Sequence, residues 1–176
     1  MIRQHKKIET VIAFASLLFL GTNAFGAKLT LASDFADFKV PRIYQGTVHQ
    51  PNFRGWDRKY GLYRTRIRNA LKGGPNFAGK YRVTEFGCGS GGCVIGFAID
   101  LTNGRVLPLP TNPPVLPLSI GGEEKLYLDL DYQSDSRLIS ARWVNNRRCM
   151  EQKFAIAGAQ FDASEVKDVG SEDACN

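Results

Sequence analysis

Residues 125–132 read KLYLDLDY, and that alternation decides the class of fold. Leu126, Leu128 and Leu130 fall on one face of an extended chain, and Tyr127, Asp129 and Asp131 on the other. This is the period of two that a half-buried β-strand requires. Ser134-Asp135-Ser136 supplies a turn, and Leu138 to Val144 alternates again as the return strand. Upstream, Gly79 to Phe86 (GKYRVTEF) alternates with Tyr81, Val83 and Glu85 on one side. Cys93 to Leu101 is apolar nearly throughout, the pattern of a strand covered on both faces. Asp100-Leu-Thr-Asn-Gly104 is a turn with Asn-Gly at its tip, and Arg105 to Leu109 returns from it. Downstream, Cys149 to Ile156 and Gln160 to Val166 read as a last hairpin turning near Gly158.

Against these six or seven strands stands one helix, residues 61–72 (GLYRTRIRNALK). Tyr63, Ile67, Ala70 and Leu71 share a face at helical spacing, and Gly73-Gly74-Pro75 ends the run. The expected class is therefore α+β: mainly an antiparallel β meander with one amphipathic helix on it or at its edge. Residues 27–60 show no clean period and read as an extended lead-in, with a short strand piece at Lys39 to Tyr44. Residues 61–176 form the single β-rich domain. Pro108, Pro110, Pro113, Pro114 and Pro117 mark a surface loop between strands.

The first 26 residues have the layout of a secretory signal peptide. Arg3, Lys6 and Lys7 precede an apolar run from Val11 to Leu20, and small residues at Ala24 and Gly26 suit cleavage. The run is half the length a membrane span needs. The expected location is periplasmic or secreted, with no transmembrane segment after cleavage. Four cysteines, Cys88, Cys93, Cys149 and Cys175, lie beyond the signal. In an oxidising compartment an even count reads as disulfides, and proximity favours Cys88–Cys93 and Cys149–Cys175 among three pairings. Spacing argues against a redox Cys-x-x-Cys pair and against a zinc site, so no metal and no cofactor are expected.

Two glycine motifs tempt and fail on context. Gly87-Cys-Gly89-Ser-Gly-Gly92 matches a dinucleotide motif by letter, but a strand follows where a helix is needed; backbone N–H groups there could still cradle an anion. Residues 74–81 (GPNFAGKY) approach a P-loop, but Tyr81 stands where a magnesium-binding hydroxyl belongs. After signal removal one histidine, His49, remains, with no nucleophile elbow anywhere, which argues against triad chemistry. Asp129 and Asp131 read as a solvated strand face. Glu85, in an otherwise apolar strand, is the carboxylate whose burial matters most.

Charge carries more than any motif. The chain has 23 Lys+Arg and 17 Asp+Glu; the signal holds three of the former and one of the latter, leaving 20 against 16, a net +4. Residues 54–82 hold nine of those cations (Arg54, Arg58, Lys59, Arg64, Arg66, Arg68, Lys72, Lys80 and Arg82) and one acid, Asp57, so this window is +8 and the remainder −4. Arg64, Arg68 and Lys72 make a stripe at i, i+4 and i+8, a spacing at which like charges repel mildly. Either the acidic strand face and tail (Glu165, Asp168, Glu172, Asp173) neutralise the stripe, or an anionic partner does. For an exported chain nucleic acid is a poor partner; envelope polyanions, acidic lipid headgroups or an acidic protein fit better.

Arg64-Thr-Arg-Ile-Arg68, residues 74–81 (GPNFAGKY), Phe86-Gly-Cys-Gly89 through Cys93, Asp100, Thr102-Asn-Gly104 and Ser134-Asp-Ser-Arg-Leu138 together resemble a group of uncharacterised small exported bacterial proteins with a GPNFAGxY…GCGxxC…D…TG signature. The likeness spans most of residues 40–161. Many of that group carry His at the position of Lys80 and Trp at that of Phe86, and their paired cysteines stand one residue closer. The resemblance implies export and a Cys-pinned β domain, and implies no activity. The expected function is a non-enzymatic, disulfide-stabilised binding or inhibitor-like module for an anionic envelope component or an acidic protein. Its candidate surface comprises Arg64, Arg68, Lys72, Lys80, Arg82, Gly87 and Gly89. The alternative is an envelope enzyme: a thiol-redox protein using Cys88 and Cys93, or a carboxylate hydrolase.

Overall fold

A computed structural model describes residues 28–87, 94–110 and 128–175. It has one α-helix and eight strands in two antiparallel sheets, an α+β, mainly antiparallel architecture. The first sheet has the order β1 (Tyr81–Gly87), β2 (Val94–Asp100), β3 (Val106–Pro108). The second runs β4 (Leu128–Tyr132), β5 (Leu138–Asn145), β6 (Arg148–Ala157), β7 (Gln160–Ala163), with β8 (Lys167–Ser171) also paired to β6. The meander is thus split in two. A period of two assigns each strand its faces but not its neighbours, so the split lay beyond the pattern.

Layering follows from the faces. Tyr81, Val83, Ala98 and Leu109 on one side of the first sheet pack with Ile139, Ala141, Trp143, Phe154 and Ile156 of the second, around Phe77. On the opposite side, Phe97, Ile99 and Val106 pack with Tyr60, Ile67 and Leu71. β2 is covered on both faces, which is why its sequence is almost continuously apolar. The helical run is tighter than a plain α-helix. A 3-10 turn (Arg58–Tyr63) leads into α1 (Arg64–Ala70), and a second 3-10 turn (Leu71–Gly73) ends at Gly74, φ +67. Tyr63 stands on the apolar side expected for it, 5.4 Å from Phe86 and 5.3 Å from Phe97 between ring centroids.

β8 is the strand that the sequence pattern did not offer. Its residues, KDVGS, show no alternation. β6 is ten residues long and β7 covers only its far end, so the near edge is open to β8, with a bulge between Cys149 and Met150. The disulfide Cys149–Cys175, Cα atoms 5.4 Å apart, holds the chain end there. The β5–β6 hairpin turns on Asn146 (φ +50) and Arg147 (φ +59), the left-handed pair that a two-residue hairpin of this twist requires.

Residues 28–60 form no strand, and the piece expected at Lys39 to Tyr44 reduces to one bridge, Lys39 with Ser136. They are nonetheless tied down. Phe38 packs with Leu138 and Ala155, and the Tyr44 and His49 amides donate to the Gly79 and Leu101 carbonyls. Residues 1–27, Cys88, Gly89, Cys93, Pro113, Pro114 and Pro117 lie outside the described residues, so the signal, the first cysteine pair and most of the Pro-rich loop are not addressed by the structure. No helix among the described residues is long and apolar enough to cross a membrane.

Candidate functional site

The helical run turns Tyr60, Tyr63, Ile67 and Leu71 inward and its cations outward. Arg64, Arg68 and Lys72 are all exposed, as are Arg54, Arg58, Lys59 and Arg66. Among the described residues none of the seven forms an ion pair. Some rest on aromatic faces instead: the Arg66 guanidinium lies 4.7 Å from the Phe86 ring centre, Arg68 5.4 Å from Phe53, and the Lys59 ammonium 5.0 Å from Tyr60. Such stacking fixes the stems and leaves the charge unneutralised.

The acidic tail does not reach this face. Asp168 is held bidentately by Arg148, both contacts at 2.8 Å, and that hydrogen bond keeps its carboxyl below the ordinary range. Glu165, Glu172 and Asp173 are exposed, and so are Asp129 and Asp131. The lone acid within the basic block, Asp57, is 1% exposed and serves architecture. Its carboxylate accepts the Val106 amide at 3.1 Å and the Asn52 amide at 3.2 Å, pinning the entry of the helical run to β3.

Lys80 and Arg82 belong elsewhere. Arg82 Nη1 donates to the Gly73 and Gly74 carbonyls at 3.4 Å each, closing the C-terminal end of the helical run, while its buried Nε has no partner. Lys80 Nζ donates to Asp100 at 2.7 Å. Burial opposes the ammonium, but the hydrogen bond to Asp100 and the neighbouring negative groups outweigh it and raise the Lys80 pKa. A lysine acting as base or nucleophile needs the reverse shift, so Lys80 is held as a cation. It lines two shallow clefts of about 240 and 260 Å³, which share Lys80, Tyr81 and Gly158; Arg137 lines the first and Arg105 the second.

Among the described residues, segments 74–81, 100–104 and 134–138 meet in space. Asn76 pairs through its side chain with the Val83 backbone at 2.7 and 3.1 Å, and Phe77 is fully buried. The Ala78 and Gly79 amides donate to the Ser136 and Ser134 carbonyls. Gly79, at φ +75, lies against the Arg42 carbonyl, where a Cβ has no room. Asp100 accepts the Thr102 amide at 2.9 Å and hydroxyl at 2.6 Å as well as Lys80. Phe77, Ala78 and Gly79 thus join the two sheets, while Asn76, Lys80 and Asp100 order the first. Gly87 ends β1, exposed, with its carbonyl accepting from Arg66. β1 is followed by a strand, so the dinucleotide reading lacks its helix.

Glu85 is half-buried between the sheets. Burial raises its pKa; a hydrogen bond from the Tyr132 hydroxyl works against that and the charge of Asp129 adds to it. Tyr132 in turn is pushed up to about 12, by burial first and then by Glu85. Alternation along β4 placed Tyr132 on the inward face, but its pairing across to the other sheet had no signal in the sequence. His49 is exposed, and no group of His, Cys, Asp and Glu among the described residues could hold a metal ion. No protein-family model, curated protein or solved structure matches the chain.

Proposed function

We propose that this chain is an exported, periplasmic or secreted binding module, inhibitor-like in format and without enzymatic activity, for an anionic envelope component or an acidic protein. The observation that carries the reading is the outward face of the helical run: seven exposed cations between Arg54 and Lys72, none ion-paired among the described residues. Arg64, Arg68 and Lys72 lie at its centre. Lys80 and Arg82, bound to Asp100 and to the helix end, support the body beneath it. Exported location rests on the signal-like leader and on cysteines suited to an oxidising compartment.

The test is retention of the full chain on a polyphosphate resin at low salt. Changing Arg64, Arg68 and Lys72 together to Gln is expected to abolish retention at an ionic strength where the parent binds, and to flatten the salt dependence. Unchanged elution of the triple variant, with the fold verified by circular dichroism, would sink the assignment of this face.

A further inference from the structure

We propose that the anionic partner is the surface of a lipid bilayer, with Leu62 as the side chain that enters it; this rests on the anion-binding reading above. Leu62 is 92% exposed, far more than the other large exposed apolar residues, Trp56 at 60%, Val166 at 49% and Ile43 at 37%. A single leucine on a surface is ordinary. The exposed cations that flank this one along the chain are not. Arg58 and Lys59 precede it by four and three residues, Arg64 and Arg66 follow it by two and four, and all four are exposed.

The local geometry explains why Leu62 projects. The 3-10 turn from Arg58 to Tyr63 places Tyr60 inward, and Tyr63, Ile67 and Leu71 continue that buried side. Leu62, five residues before Ile67, is carried to the far side of the run, away from the first sheet. Gly61, just before it, has no neighbouring atoms where a Cβ would stand, so nothing overhangs the tip. Trp56, at the start of this turn region, keeps its ring outward with the Arg105 guanidinium 5.3 Å from its centre. An exposed apolar tip on a segment of exposed cations, with an exposed tryptophan at position 56 of the same segment, has the chemistry of a peripheral anchor. The cations meet lipid phosphates while one aliphatic side chain passes the headgroup level. A folded acidic protein would satisfy the cations but would leave Leu62 in need of a matching pocket. The interfacial layer accepts it without one.

The test uses the full chain and two kinds of vesicle, phosphatidylcholine alone and phosphatidylcholine with about a third phosphatidylglycerol. Sedimentation is expected to show binding only to the anionic vesicles. Leu62→Ala is expected to weaken it about ten-fold, and Leu62→Trp to restore it with a blue-shifted emission. The variant with Arg64, Arg68 and Lys72 changed to Gln loses about five-fold per cation, roughly a hundred-fold in all. Leu62 is 92% exposed, so its variants are expected to fold as the parent does, and circular dichroism verifies the fold of all three. Binding to vesicles that ignores both Leu62 changes overturns insertion at this tip. Retention on polyphosphate without vesicle binding overturns the bilayer assignment and leaves the anion-binding reading standing. Loss of both overturns that reading as well.

Discussion

Removing the Asp100 carboxylate tests whether the Lys80–Asp100 pair is scaffold or free chemistry. Asp100 ends β2 with its side chain 7% exposed. One oxygen accepts the Thr102 amide at 2.9 Å and hydroxyl at 2.6 Å; the other accepts Lys80 at 2.7 Å and a long contact from Asn103 at 3.4 Å. Hydrogen bonds to a charged acceptor contribute about 1.5–3 kcal/mol each. Asp100→Ala does not lose all of that. The Lys80 side chain is 42% exposed and its ammonium can turn to water, so its ion pair is worth at most about 1 kcal/mol. The Thr102 groups, half-buried in the turn, lose their acceptor and account for about 2 kcal/mol more. The expected cost is about 3 kcal/mol, or about 9 °C in Tm for a chain of this size. Lys80→Met is expected to cost about 1 kcal/mol, and the double variant little more than Asp100→Ala alone, because the two share one contact. Urea unfolding followed by circular dichroism, with the disulfide intact, measures all three. If Asp100→Ala stays within about 0.5 kcal/mol of the parent, the carboxylate does not hold this turn and the structural account of the pair is wrong.

Two further outcomes follow from the same physics. Replacing Cys149 and Cys175 by Ser opens a loop with a sequence separation of 26, worth about 3.5 kcal/mol in the chain-entropy model, and frees β8 from β6 first; hydrogen exchange should show residues 167–171 losing protection before β5 does. Glu85 governs an acid-side pH dependence. Its folded pKa lies above the ordinary 4.5, so the native state holds the proton more tightly than the unfolded chain. Its contribution is fully present below 4.5 and is lost as pH rises through the raised folded value; Glu85→Gln, which keeps an acceptor for Tyr132, should flatten that fall in denaturant titrations at successive pH values.

The sequence was most legible where one face of an element meets the core and the other meets water. The alternation of β4, the return strand from Leu138 and the Tyr63–Ile67–Leu71 stripe all declared themselves through period; residues 125–127 lie outside the described residues. β2 was legible for the opposite reason, since coverage on both faces removes every polar position before Asp100. What period cannot encode is partnership. Tyr81 pairs with Asp100 across β1 and β2, and only that register brings Lys80 near the Asp100 carboxylate. Asp57 could be seen as the one acid in a basic block. Its burial depends on the Val106 amide, 49 residues away, and on a backbone partner at Asn52, neither of which a side-chain pattern reports. β8 exists because β6 has an open edge and a disulfide brings the chain back to it, and both causes are tertiary. At the candidate site the cationic stripe was visible and the exposure of Leu62 was not. The stripe of Tyr63, Ile67 and Leu71 leaves Leu62 off the apolar face, but period does not report how far it projects.

The arrangement of charge supports the contact role proposed for the basic face. Solubility is served by interspersed signs, and the rest of the molecule follows that rule: Lys39 meets Asp135, Lys80 meets Asp100, Arg142 meets Glu151 and Arg148 meets Asp168. Each of these acids sits within reach of a cation on a neighbouring strand or loop. Between Arg54 and Lys72 the only acid is turned inward to bind backbone amides, so no acid of that segment opposes its field. Arg64, Arg68 and Lys72 repel one another at helical spacing, a small cost that an acid at any of several exposed positions, Thr65 or Asn69 among them, would remove. A stable fold gains nothing from leaving that repulsion in place. An anionic surface brought against the face relieves it, and the relief is largest for a partner wide enough to meet all seven cations at once.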